Sequence, residues 1–264
     1  RVKVNPLSDS ESAQLLLSLV HRSEMGSNGT DAPSKPDDTA VARSLAERLG
    51  GLPLAINQVA SYILDSDCTL EECEEIYSDI SSRNDLLIQQ SNTVDTNYEH
   101  SLGNVWDLSM SRVRKQNANS VHLLEVLSLM DPDSVPELLL TGKDRLQLGA
   151  PRKALSYLAN IAQFINARKF LLQQSMITKS GSDANSTLSI HRLVSAITQE
   201  SLTGDDRQDR FDDVLELLIR QFPQVSLTRP SLNDQWPRCG AYISQVIALE
   251  TFYRQSNPAL APRS

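Results

Sequence analysis

The chain has 264 residues, enough for one large domain or two small ones, and at 40% hydrophobic and 22% charged it has the composition of an ordinary globular protein. A net charge of −8 repels nucleic-acid phosphate and anionic lipid unless the basic residues gather on one face. Three irregularly spaced cysteines (Cys68, Cys73, Cys239) argue against a disulfide framework and for a reducing, cytoplasmic setting.

No apolar run approaches ~18 residues, so no membrane span is expected. The N-terminus has no long apolar core and no initiator Met, so a piece of a longer protein without a signal peptide is expected. Leucine and alanine dominate the apolar residues and glycine is scarce, a balance that favours helices over sheets.

Arg1–Val4 reads as extended. Ser8 and Glu11 form a capping box, and the following helix, Ser10 to about Val20, carries Leu15, Leu16 and Leu19 on one face. Gly26–Pro36 has loop composition. A helix is predicted from Asp37 to Leu49, stopped by Gly50-Gly51, and Pro53 stands where the first turn of the next helix begins. That helix, Leu54 to about Leu64, is apolar enough to be buried. Thr69 and Glu72 make a second capping box for a helix to about Ile80. A short helix near Asp85–Gln90 leads into the polar stretch Ser91–His100, the expected domain boundary.

Helices are predicted over Val105–Lys115, Asn119–Met130 and Val135–Leu140, and another over Pro151–Gln173 with a break near Asn166. The period then changes. Ser175–Thr178 and Thr187–Ile190 read as the strands of a small hairpin around the loop Lys179–Ser186. Helices return at His191–Ser201, Asp209–Phe222 and Trp236–Tyr253, with a linker at Pro223–Pro230. The fold class is therefore all-α with one small β-hairpin, a helical bundle followed by a winged-helix-like domain. The expected domains are 1–95 (helical), 96–204 (winged-helix-like) and 205–264 (helical extension).

Several stretches carry a resemblance. Gly51-Leu52-Pro53-Leu54-Ala55, between two helices, resembles the GLPLA motif of NB-ARC domains. Leu188-Ser189-Ile190-His191-Arg192-Leu193-Val194 is similar to that family's MHD motif at the end of the hairpin. Trp106-Asp107-Leu108-Ser109, the run Leu123 to Leu139, and Trp236-Pro237-Arg238-Cys239 resemble the fungal STAND branch in which tetratricopeptide repeats follow. The resemblance implies a signalling nucleotide switch. It assigns Pro53 to an adenine contact and His191 to the β-phosphate of ADP, both vestigial here, in a winged helix that closes over ADP in the off state.

Two departures stand out. Arg192 occupies the position of the motif's aspartate, and no Gly-x-x-x-x-Gly-Lys-Ser/Thr loop exists to cradle a triphosphate. No cofactor is therefore expected, ADP entering only if a nucleotide-binding domain is supplied. The partners implied are that domain, the repeats or other proteins, with no membrane and no nucleic acid.

The residues also have plain structural readings. Gly51 and Pro53 serve as a helix stop and a helix start, and His191 can cap the helix that it opens. His21, His100 and His122 share no ligand spacing with one another or with the cysteines, so no metal site is expected. No nucleophile sits in a recognisable catalytic turn, so no enzyme activity is expected. Lys143, Arg145, Arg152, Lys153, Arg168 and Lys169 form a local basic patch, read as a solvated face or an intramolecular dock. The alternatives are a winged-helix nucleic-acid binder using that patch, and a helical interaction scaffold unrelated to nucleotide switching.

Overall fold

A computed structural model of the chain describes residues 7–21, 36–79, 106, 109–142, 152–182, 185–223, 233, 236–256 and 260. The expected extended start at Arg1–Val4, most of the loop at Gly26–Pro36, the helix near Asp85–Gln90, the boundary stretch Ser91–His100 and most of the linker Pro223–Pro230 lie outside them. The protein is mostly helical with one small antiparallel sheet. It divides into two compact units, Arg1–Gln116 with Gln173–Ser175, and Asn117–Leu172 with Met176–Ser264.

In the first unit, α1 (Asp9–His21) packs against α2 (Pro36–Arg48) and α3 (Pro53–Ser66). Ser8 and Glu11 form the expected capping box: the Ser8 amide donates to Glu11 at 2.9 Å and the Glu11 amide to the Ser8 hydroxyl at 3.4 Å. Leu16, Leu45, Leu49, Ile56 and Val59 are fully buried and form the core of these helices. α2 ends in a Schellman arrangement, with the Gly50 amide on Glu47 O and the Gly51 amide on Ala46 O. Both glycines take positive φ, 62° and 67°, which a side chain would oppose.

α4 (residues 70–79) follows a left-handed Asp67, and α5 (residues 109–116) brings Arg112 to Asp65 at 3.0 Å and over the Tyr62 ring. The side chain of Gln174 donates to the same Asp65 carboxylate at 3.0 Å.

The second unit begins with α6 (Ala118–Ser128), then β1 (Val135–Pro136), α7 (Glu137–Thr141), α8 (Ser156–Ala159, preceded by a 3-10 turn at Lys153–Leu155), α9 (Ile161–Gln173), and the hairpin β2 (Ile177–Ser180) and β3 (Thr187–Ile190). Helix, strand, helices and hairpin in this order make a winged-helix-like unit. β3 lies between β1 and β2, pairing Val135 with Leu188 and Ile177 with Ile190.

Two expectations need correction here. The helix predicted from Val135 starts only at Glu137, and Val135–Pro136 form a third strand. A residue before proline is driven out of the helical region, and β-branched valine prefers the pleated one. The break in the long helix falls at Asn160 and not near Asn166. The Asn160 side chain accepts from the Ala162 and Gln163 amides at 3.1 and 3.2 Å, which starts a new helix there.

α10 (Arg192–Ser201) packs on α6, and α11 (Gly204–Gln221) packs on α6 and on α12 (Trp236–Gln255). The Asp209–Gln221 stretch expected as an extension thus belongs to the same core as the winged-helix elements. α11 starts earlier than its apolar pattern indicates because Thr203 caps it, accepting from the Asp206 amide. The buried Gln245 of α12 fastens the turn before β1, accepting from the Asp131 amide at 2.9 Å and donating to Ser134 O at 2.7 Å. On the same helix Tyr242 and Leu249 are buried, while Trp236, Ile243 and Ile247 stay exposed.

Asn117 caps α6, accepting from the Asn119 and Ser120 amides at 3.0 and 3.2 Å. Asn117→Ala is expected to lower the unfolding free energy by about 1 kcal/mol and Asn117→Asp to retain most of it. Urea titration followed by circular dichroism measures both.

Candidate functional site

Pro53 and His191, the two residues assigned by the resemblance, fall in different units. Pro53 is the first residue of α3, preceded by an extended Leu52 with φ −84° and ψ 111°, and it is exposed. The backbone reason is local: proline loses nothing at a helix start because its missing amide has no partner there. The Gly51 carbonyl beside it accepts from the Leu7 amide at 3.0 Å, so the turn is tied to the chain leading into α1.

His191 directly follows β3 and caps α10. Its φ of −63° and ψ of 134° are extended, and its Nδ1 accepts from the Leu193 amide at 3.3 Å. Partial burial pushes the imidazole pKa below its ordinary value. The cap works in the same direction, since a protonated Nδ1 cannot accept and a cation at a helix N-terminus is disfavoured.

His191 lines a pocket of about 470 Å³ with Pro132, Asp133, Thr178, Ser189, Ile190 and Arg192. One rim of the pocket is sewn to β3: the Ile190 amide donates to Pro132 O at 2.8 Å, and the Ser189 hydroxyl to Asp133 O at 2.6 Å. Arg192 reaches the Asp133 carboxylate at 2.6 Å, both groups being well exposed. Asp133 therefore supplies from the neighbouring turn a carboxylate that the motif-like stretch itself lacks.

A second polar assembly in the same unit involves residues with no recognisable spacing. Asp213 on α11 is completely buried. Its carboxylate receives Arg152 Nε at 2.9 Å, Arg210 Nη1 at 2.6 Å and His122 Nε2 at 3.0 Å. The contact to Asp213 puts the imidazole proton on Nε2, which leaves Nδ1 to accept from the Tyr157 hydroxyl at 3.1 Å. Arg152 also meets Asp209 and Asp212, each at 3.3 Å, and Arg210 meets Glu125 at 3.2 Å. Burial is the main reason that the His122 pKa lies below its ordinary value; the bond to Asp213 opposes the shift, and the charge of Arg210 adds to it.

Tyr–His–Asp order superficially suggests a proton relay, but Tyr157 is buried and none of the three residues lines the pocket at His191. Its chemistry is to neutralise charge between packed helices. The partners of His122 lie 35 and 91 positions away, which no spacing rule finds. The one hint in the sequence is Asp213 four residues before the apolar Leu217, a charge on a helix face that is otherwise being buried.

The basic patch divides. Arg152 is used as above, and Arg168 pairs with Glu137 at 2.5 Å, with Lys179 joining at 3.3 Å. Lys153 and Lys169 are exposed, while Lys143 and Arg145 lie outside the described residues.

A third feature is apolar. α11 and α12 enclose a groove of about 520 Å³ lined by Phe211, Leu215, Leu218, Ile219, Val246 and Tyr253 among others. Among the described residues no group of three or more His, Cys, Asp or Glu side chains is arranged to hold a metal ion. No described helix is long and apolar enough to cross a membrane.

The network makes stability pH-dependent. A histidine whose folded pKa is depressed resists protonation in the native state, so the stability linked to His122 is complete above its ordinary value of 6.5 and is lost as the pH falls below it. His122→Gln, which can donate to Asp213 and accept from Tyr157, is expected to flatten that loss in urea titrations between neutral pH and pH 5. Asp213→Ala, which removes the buried carboxylate shared by Arg152, Arg210 and His122, is expected to cost about 3–5 kcal/mol at neutral pH.

Residues 111–207, from α5 to the start of α11, match a protein family described as a domain of unknown function (DUF7779). No curated protein matches the chain.

Proposed function

We propose that this chain is a non-catalytic regulatory and interaction module of a STAND-type nucleotide switch, the part that closes over ADP in a protein that also carries a phosphate-binding loop. The observation that carries the reading is His191. It stands at the end of the hairpin, capping α10, on the wall of a pocket that Asp133 and Arg192 also line. A neutral imidazole with free Nε2 can donate a hydrogen bond to a phosphate oxygen, and the adjoining helix N-terminus favours an anion. Arg192, although paired with Asp133, sits beside it. Pro53, exposed at the start of α3, is the counterpart on the other unit.

Without a glycine-lined cradle, a lysine and a metal site in this sequence, ATP turnover is assigned elsewhere in the switch. The role left to this chain is interaction in the cytoplasm, with a nucleotide-binding domain and with helical repeats.

Three measurements test this. In-frame coding sequence upstream of Arg1 should contain a Gly-x-x-x-x-Gly-Lys-Ser/Thr loop; a complete transcript without one removes the reading. The purified chain should show no ATP turnover and bind ADP no tighter than roughly millimolar, about −4 kcal/mol. In the longer protein, His191→Ala is expected to weaken ADP by about tenfold, near 1.4 kcal/mol, by calorimetry. Equal affinity for the variant and the wild type would deny His191 its phosphate contact.

A further inference from the structure

Cys68 and Cys73 flank the capping box that starts α4. The Thr69 amide donates to the Glu72 carboxylate at 2.9 Å, and the Glu72 amide to the Thr69 hydroxyl at 3.2 Å. Thr69 is therefore the N-cap, Cys68 the residue before it and Cys73 the fourth residue of the helix. Those two positions normally carry a pair of apolar side chains that touch across the cap, the hydrophobic staple. Here the pair at those positions is two thiols.

The backbone holds both ends. Asp67 turns the chain with a left-handed φ of 54°, the Cys68 amide then donates to Ile63 O at 3.3 Å, and the Cys73 amide donates to Thr69 O at 3.0 Å.

The two thiols differ in ways that suit sequential chemistry. Cys68 is half-buried and Cys73 is completely buried. The hydrogen bond from Cys73 is the main reason that the Cys68 thiol lies below the ordinary thiol range, against burial and the charge of Glu72. The same bond, followed by burial, pushes the Cys73 thiol up. A partly accessible thiol beside a fully buried one is the pairing of an attacking and a resolving cysteine.

We propose that Cys68 and Cys73 are a redox-sensitive dithiol that a hydroperoxide closes to a disulfide. The Cys68 thiolate attacks a peroxide oxygen. An S–O bond forms, the O–O bond breaks, and the departing oxygen leaves as water or alcohol after taking a proton. Sulfur is oxidised to the sulfenic acid and the peroxide is reduced. Cys73 then attacks that sulfur and gives up its thiol proton. The S–S bond forms, the S–O bond breaks, and hydroxide leaves as water with the proton from Cys73. A small thiol reductant reverses the closure by exchange. This inference is independent of the proposed function.

The test treats the folded, reduced full chain with a small excess of hydrogen peroxide, unfolds it, alkylates it and reads the peptides by mass spectrometry. Cys68 and Cys73 lie in one tryptic peptide, between Arg48 and Arg83. That peptide is expected to lose two hydrogens and both alkylation sites, while Cys239 remains alkylated. Dithiothreitol should restore both sites. Cys73→Ser, checked for native circular dichroism, should instead hold Cys68 as a sulfenic acid that a cyclic 1,3-diketone labels. Cys68→Ser should leave Cys73 unoxidised. Full alkylation of Cys68 and Cys73 in the wild type after peroxide, or oxidation of Cys239 in preference to them, would overturn the proposal. So would a sulfenic acid at Cys68 that persists while Cys73 is present.

Discussion

A carboxylate with no access to water costs several kcal/mol unless matched charges and hydrogen bonds surround it, and Asp213 is in that position at the centre of the second unit. Arg152 arrives from the segment before α8, Arg210 from the preceding turn of α11, and His122 from α6. Each of these elements is thereby held at one distance and one orientation relative to the others. Apolar packing alone tolerates sliding of one helix along another, whereas two hydrogen bonds and an ion pair converging on one carboxylate do not. The winged-helix elements rest on this arrangement, because α6 also carries the contacts to α10.

The hairpin is positioned by a related device. Glu137, at the start of α7, gathers Arg168 of α9 and Lys179 of β2, and its amide donates to Ser186 O in the segment before β3 at 2.9 Å. The turn before β1 is locked to β3 through Pro132 and Asp133 and to α12 through Gln245. His191 is consequently placed by the central strand of the sheet, a tight turn and a helix start at once. That rigidity gives its imidazole a defined direction, whatever it contacts.

Charge also decides how the basic patch is to be read. Arginines that look available in the sequence are consumed by carboxylates: Arg152 by the acidic face of α11, and Arg168 by Glu137. Guanidinium groups suit this use, since their delocalised charge spreads over several nitrogens, as when Arg152 forms ion pairs with Asp209, Asp212 and Asp213. The acidic balance of the whole chain and this internal pairing both work against a phosphate-binding face.

Local signals were legible in the sequence wherever neighbours within a few residues do the work. The capping boxes at Ser8 and Thr69, the glycine stop at Gly50-Gly51, the proline start at Pro53 and the strand Thr187–Ile190 each depend on interactions of short range, so the residues themselves determined them. His191 as a helix cap belongs with them, as does the all-α fold with a small hairpin, because periodicity and composition are local properties. Tertiary structure alone decided the rest. It paired the locally extended Val135–Pro136 with Leu188 and Thr187 as a third strand, and it joined His122 to Tyr157 and Asp213 across long stretches of chain. The physical reason is the same in both cases: a backbone hydrogen bond or a buried charge is satisfied by whatever the fold brings near, and sequence distance carries no record of that meeting.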